Sequence, residues 1–84
     1  MAEDKQREHW LHYTIDDEPE STVKTVLTPT DILTDAGLDP QTNYLEQLHH
    51  GHEPTSYKDT PDTKIDMKDG MRFISKPRGP MPVS

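Results

Sequence analysis

The chain has 84 residues, of which 29% are hydrophobic, 30% are charged and none is cysteine, and its formal net charge at pH 7 is −7. That leaves room for one small core and no second. The acidic balance argues against nucleic-acid and membrane-surface partners, and the absence of thiols excludes disulfides, a cysteine nucleophile and cysteine-based zinc sites. The lack of disulfides allows a reducing cytosol without requiring it, and a cytoplasmic location is the expectation.

Residues 1–9 are charged and lack an apolar run, so they are expected to form a disordered tail rather than a signal peptide or membrane anchor. From Trp10 to Asp16 the residues alternate, placing Leu11, Tyr13 and Ile15 on one face of a half-buried strand. Asp17 to Glu20 reads as a turn. Ser21 to Thr28, with Val23, Thr25 and Leu27 on one face, then reads as the second strand of an antiparallel hairpin.

Thr28-Pro29-Thr30-Asp31 predicts a helix start, with Thr28 as N-cap, Pro29 at the first helical position and Asp31 at the third. Leu27 and Ile32 are spaced as a hydrophobic staple. Ile32, Leu33 and Ala36 make the apolar stripe, Gly37 supplies the stop, and Pro40 prevents continuation. Tyr44 to Leu48 is the third strand, its inward face being either Leu45 alone or Tyr44 with Leu48. His49 to Glu53 reads as a polar loop, and Thr55 to Lys58 as a brief edge strand limited by Pro54 and Pro61. Ile65 and Met67 approach an Asp69-Gly70 turn. The last strand follows, with Met71, Phe73 and Ser75 alternating with Arg72, Ile74 and Lys76.

This order predicts an α+β fold: a β-grasp mixed sheet with one short helix packed across it, spanning residues 10–76. Its first and last strands lie side by side in parallel, a pairing that needs the long crossover between them. The expected core is Leu11, Tyr13, Ile15, Val23, Leu27, Ile32, Leu33, Ala36, Leu45, Leu48 and Phe73. Residues 77–84, rich in proline and glycine, are expected to form a flexible C-terminal tail.

No catalytic constellation emerges. His49-His50-Gly51-His52 has a metal-binding look, but structural sites want four ligands, so a solvated loop is expected and no metal. The acidic runs Asp16-Asp17-Glu18 and Asp59 to Asp66 lack calcium-loop spacing. Ser75 and Ser84 have no fixed base nearby, and no glycine-rich loop could cradle a cofactor phosphate. The chain therefore reads as no enzyme and as needing no cofactor. Trp10, Val26 and Ile74 are candidates for an exposed docking patch on the sheet.

Several runs, in order across residues 10–84, resemble the bacterial multiubiquitin-type domain. They are Tyr13-Thr14-Ile15-Asp16-Asp17-Glu18-Pro19, Leu27 to Leu33, Ala36-Gly37-Leu38-Asp39-Pro40, Met67 to Ser75, and the ending Gly79-Pro80-Met81-Pro82-Val83-Ser84. The resemblance implies a ubiquitin-like β-grasp domain acting as a protein modifier. It also implies activating-enzyme-like, conjugating-enzyme-like and metallopeptidase-like partners, with antiviral defence as the setting. The conjugation tail would be Lys76, Pro77, Arg78, Gly79, Pro80, Met81, Pro82, Val83 and Ser84.

One departure matters. Ubiquitin and the sulfur carriers end in Gly-Gly, whereas here Gly79 stands alone. Either a peptidase cuts after Gly79, or the Ser84 carboxylate is the one activated. Two other roles fit the same fold: a non-covalent adaptor binding through its sheet face, and a sulfur carrier forming a terminal thiocarboxylate.

Overall fold

The computed structural model describes residues 9–79, so Met1 to Glu8 of the expected N-terminal tail and Pro80, Met81, Pro82, Val83 and Ser84 of the expected conjugation tail lie outside the described residues. The elements run β1 (Leu11–Ile15), β2 (Glu18–Thr22), β3 (Val26–Leu27), α1 (Pro29–Asp35), β4 (Asn43–His49), β5 (His52–Ser56), β6 (Ile65–Asp66) and β7 (Met71–Pro77). Five strands form a sheet in the order β2-β1-β7-β4-β5, and β3 pairs with β6 in a second, two-stranded sheet. In the larger sheet β1 and β7 are parallel, while the other pairings are antiparallel. With α1 packed across it, this is the expected α+β, β-grasp arrangement.

The helix forms where the local chemistry dictates. The Asp31 amide donates to Thr28 Oγ1 at 3.1 Å and the Thr28 amide donates to Asp31 Oδ2 at 3.0 Å, closing a capping box around Pro29. At the other end Gly37 adopts φ 81°. Its amide donates to the Thr34 carbonyl at 3.0 Å, and the Leu38 amide donates to the Leu33 carbonyl at 2.9 Å. This is the paired closure of a Schellman motif, which satisfies carbonyls that the helix end leaves free.

The first hairpin turns earlier than the sequence predicts. Asp16 and Asp17 are its two central residues, at φ 54° and 67°, and Ile15 pairs with Glu18. Two-residue hairpins favour positive φ at both positions, which aspartate tolerates better than most residues. The strand expected over Ser21 to Thr28 is therefore split, and Glu18 to Thr22 pair with β1 instead. Pro19 is admissible there because β2 is an edge strand. Asp17→Gly should raise stability by about 0.5–1 kcal/mol by removing the left-handed penalty; a urea midpoint that fails to rise would show the turn to be unstrained.

The second hairpin is also tighter than expected. His49 ends β4 and His52 opens β5, so His50-Gly51 is the turn, with Gly51 supplying φ 77°. A register shift between Gln47 and His49 leaves Leu48 opposite two residues of β5.

The buried core is Leu11, Tyr13, Ile15, Leu27, Ile32, Leu33, Leu45, Ile65, Met67 and Phe73. Val23, expected inside, is 38% exposed because it lies past the end of β2 with no strand to pair with. Ala36 and Leu48 are only partly buried. Leu45 is the lone inward residue of β4 among the two readings, at 0% exposure, while Tyr44 and Leu48 face the other way. Ile65 and Met67 enter the core because β6 pairs with β3, which carries Leu27 inward.

Candidate functional site: the root of the C-terminal tail

Strand β7 lies at the centre of the sheet. Tyr13, Thr14 and Ile15 pair with Met71, Arg72 and Phe73, and on the other side β4 follows β7 from Leu48↔Arg72 to Asn43↔Pro77. Strand β1 stops at Ile15, so the last part of β7 has no strand on that side. Asp16 takes its place. The Ser75 amide donates to Asp16 Oδ1 at 2.8 Å, the Ser75 hydroxyl donates to Oδ2 at 2.5 Å, and the Asp16 amide donates to the Phe73 carbonyl at 3.0 Å. A hydrogen bond to a charged acceptor is stronger than a neutral one, so this clasp holds the strand's exit.

Arg78 fixes the next step. Its amide donates to the Thr42 carbonyl at 3.0 Å, its Nε to the Pro40 carbonyl at 3.1 Å and its Nη1 to the Lys58 carbonyl at 2.8 Å. Lys76 Nζ lies 3.4 Å from a Glu46 carboxylate oxygen, a half-exposed ion pair of small energetic weight. Lys76, Pro77 and Arg78 thus belong to the folded body, whereas the sequence predicts a flexible tail from residue 77 onward. Gly79 is the first residue to stand clear. It is exposed at φ 99°, and a Cβ built there would meet no heavy atom within 4 Å.

The candidate docking residues do not share one face. Trp10, 53% exposed, precedes β1, and the parallel register places it short of the start of β7. Val26, 42% exposed, pairs with Asp66 in the two-stranded sheet. Ile74, partly buried, sits beside Glu46 on the open face of the five-stranded sheet. The neighbours that Ile74 does have are Arg72 and Lys76 on β7 and Tyr44 and Leu48 on β4, with Lys58 Nζ 5.6 Å from the Tyr44 ring centroid. Strand alternation in Tyr44 to Leu48 carried this signal, since either parity leaves one set of side chains outward.

No family model, curated protein or solved structure matches the chain.

The histidines of the second hairpin line an open cleft of about 430 Å³ with Asp69 and Arg72. His49 Nε2 is 2.7 Å from Thr55 Oγ1, so one ring nitrogen is already engaged. Among the described residues no three His, Asp or Glu side chains are placed to hold a metal ion. Among the same residues no helix is long and apolar enough to cross a membrane.

Proposed function

We propose that the chain is a ubiquitin-like modifier that acts through its C-terminal carboxylate in a bacterial cytoplasmic pathway. An activating-enzyme-like partner would join that carboxylate to the α-phosphate of ATP, releasing pyrophosphate. A thiolate on the activating-enzyme-like or conjugating-enzyme-like partner would then displace AMP. A target amine would take the acyl group, restoring the thiol, and a metallopeptidase-like enzyme would reverse the attachment. The chain itself supplies an end group and its placement, so no catalytic side chain is required of it. Antiviral defence is the setting that the sequence resemblance favours.

One observation carries the reading: the central strand delivers the chain to a root clamped by Arg78, after which Gly79 stands clear of the body. A β-grasp scaffold alone would not carry it, because one fold hosts many functions. A rigid root lowers the entropy lost when the following residues enter a partner's channel.

Incubation with the activating-enzyme-like partner and ATP should yield an AMP adduct, visible as an intact-mass increase. The adduct should vanish when residues 79–84 are removed. An adduct that survives this removal would sink the proposal, and so would its absence from the full chain. Replacement of a terminal oxygen by sulfur in the protein recovered from its host would point to the sulfur-carrier role instead.

The adaptor reading has its own support in the open sheet face, where Tyr44, Leu48 and Ile74 are only partly covered and Arg72 and Lys76 flank them. An adaptor would lose its partner on Arg72→Glu and be indifferent to removal of the tail.

A further inference from the structure

Three large hydrophobic side chains stand exposed among the described residues: Trp10, Val23 and Val26. They lie on different strands but at one corner. Leu11 pairs with Thr22 at the open end of the first hairpin, so Trp10 and Val23 are the next residues beyond that pair on the two chains. Val26 opens β3, within about 11 Å of Val23 even along a fully extended chain. The parallel register of β1 and β7 sets this corner at the end where β7 begins, away from the Arg78 root of the tail.

The charges around the corner carry a second signal. Burial alternates along residues 64–68, with Ile65 and Met67 inward and Lys64, Asp66 and Lys68 outward. On the facing strand Leu27 is inward, and Val26 and Lys24 are exposed. Val26 pairs with Asp66, and the ladder runs on past that pair, since the Met67 amide donates to the Thr25 carbonyl at 2.8 Å. Lys24 and Lys68 come next and stand opposite each other. Like charges directly opposite on paired strands destabilise a sheet. Neither lysine has an ion-pair partner among the described residues, where the ion pair formed is Lys76 with Glu46 on the other sheet. In a chain of net charge −7, three lysines around one aspartate make a locally basic spot.

A single exposed apolar residue needs no explanation, and surface lysines keep a protein soluble. Neither reason accounts for a tryptophan and two valines at the same corner. Neither accounts for a lysine set against a lysine where one glutamate would relieve the repulsion. Both features fit an occupant that covers apolar surface and brings negative charge. Residues 1–8 adjoin Trp10 in sequence, but with three acidic and two basic side chains they are too evenly balanced for that task. A second copy needs more area: three side chains offer far less than the roughly 800 Å² per partner of a standard interface.

We propose that this corner docks a short acidic segment of a partner protein. Trp10 is the anchor, in the way that covered aromatics dominate small interfaces. Val23 and Val26 extend the apolar contact, and Lys24, Lys64 and Lys68 face the segment's carboxylates. The site is independent of the tail chemistry, so a chain ending after Arg78 should bind equally well.

Trp10 is the only tryptophan in the chain, so its fluorescence reads the corner directly. The full chain is titrated with an end-blocked hexapeptide alternating glutamate and leucine, against the lysine–leucine counterpart. The glutamate peptide should move Trp10 emission to the blue and shift the amides of Val23, Lys24, Val26 and Lys68 in NMR spectra. The lysine peptide should do neither. Lys68→Glu should weaken binding by about five-fold, as befits exposed ion pairs, and added salt should weaken it further. The same substitution should raise the urea midpoint, because it sets a glutamate opposite Lys24. A merely structural lysine would not move binding and stability in opposite directions. Val26→Ser should weaken binding by about three-fold through lost apolar contact. Several results would overturn the proposal: no response to the glutamate peptide, an equal response to the lysine peptide, indifference of binding to both substitutions, or a urea midpoint that falls on Lys68→Glu. A blue shift that grows with protein concentration alone would assign the corner to a second copy of the chain. A red shift on removing residues 1–8 would assign it to the chain's own N-terminal segment. Either would also count against a partner segment.

Discussion

Phe73→Ala should bring the chain to the edge of unfolding at 25 °C. Phe73 is 1% exposed and lies in the central strand, between β1 and β4. Its ring meets Tyr13 edge-on, with centroids 5.8 Å apart and planes at 88°. Truncating a buried phenylalanine costs about 3–5 kcal/mol, and the lost aromatic pair is part of that figure. A domain of 84 residues has about 4–12 kcal/mol to lose in total. A chain with so few apolar residues belongs toward the low end of that range, so one substitution removes most of the margin. Phe73→Leu keeps much of the volume and should cost about 1–1.5 kcal/mol. Urea unfolding followed by circular dichroism is the suitable measurement, because Trp10 is 53% exposed and its fluorescence reports weakly on the core. A Phe73→Ala chain within about 1 kcal/mol of the parent would mean that the core is centred elsewhere.

The same residues show what the sequence reveals. Alternation marked Leu11, Tyr13, Ile15 and Phe73 as inward, and all four are buried. The capping pattern of Thr28, Pro29 and Asp31 placed the helix start, because a cap is a local interaction among neighbours. The first turn was hidden for the opposite reason. Asp16-Asp17 carries no glycine, and Asp16 is held by Ser75, which lies 59 residues further along the chain. The β-branched residues Thr22, Val23, Thr25 and Val26 resemble a strand, but strand propensity needs a partner, and beyond Thr22 the sheet offers none until β6.

At the site the difference is again local against non-local. Proline and glycine flagged the departing tail. The carbonyls of Pro40, Thr42 and Lys58 that bind Arg78 leave no mark in the sequence, since every residue has a carbonyl. Trp10, Val26 and Ile74 could be chosen for outward parity but not for adjacency, which depends on strand order and register.

Where the chain is shortened should matter more than how much is removed. Ending it after Arg78 removes Gly79 and the residues beyond it, and Gly79 has no neighbour for a side chain to meet. Ending it after Lys76 also removes the Pro77 end of β7 and all three hydrogen bonds from Arg78. Neutral bonds of this kind are worth about 0.5–1.5 kcal/mol and those from a charged group about 1.5–3 kcal/mol when well shielded. Arg78 is partly exposed, so the expected loss for the shorter chain is about 2–4 kcal/mol, against less than about 0.5 kcal/mol for the longer one. Arg78→Ala should account for about 1–3 kcal/mol of it. Arg78→Lys should recover little, because an ammonium lacks the planar fork that reaches two carbonyls at once. Urea midpoints of the four chains test this ordering. Equal stability of the two truncations would mean that the Arg78 contacts carry no weight in solution. The ordering also decides which chain can test the tail chemistry. Failure of the chain ending at Lys76 to form an AMP adduct would follow from a loosened β7 alone, whereas failure of a fully stable chain ending at Arg78 can come only from the missing end.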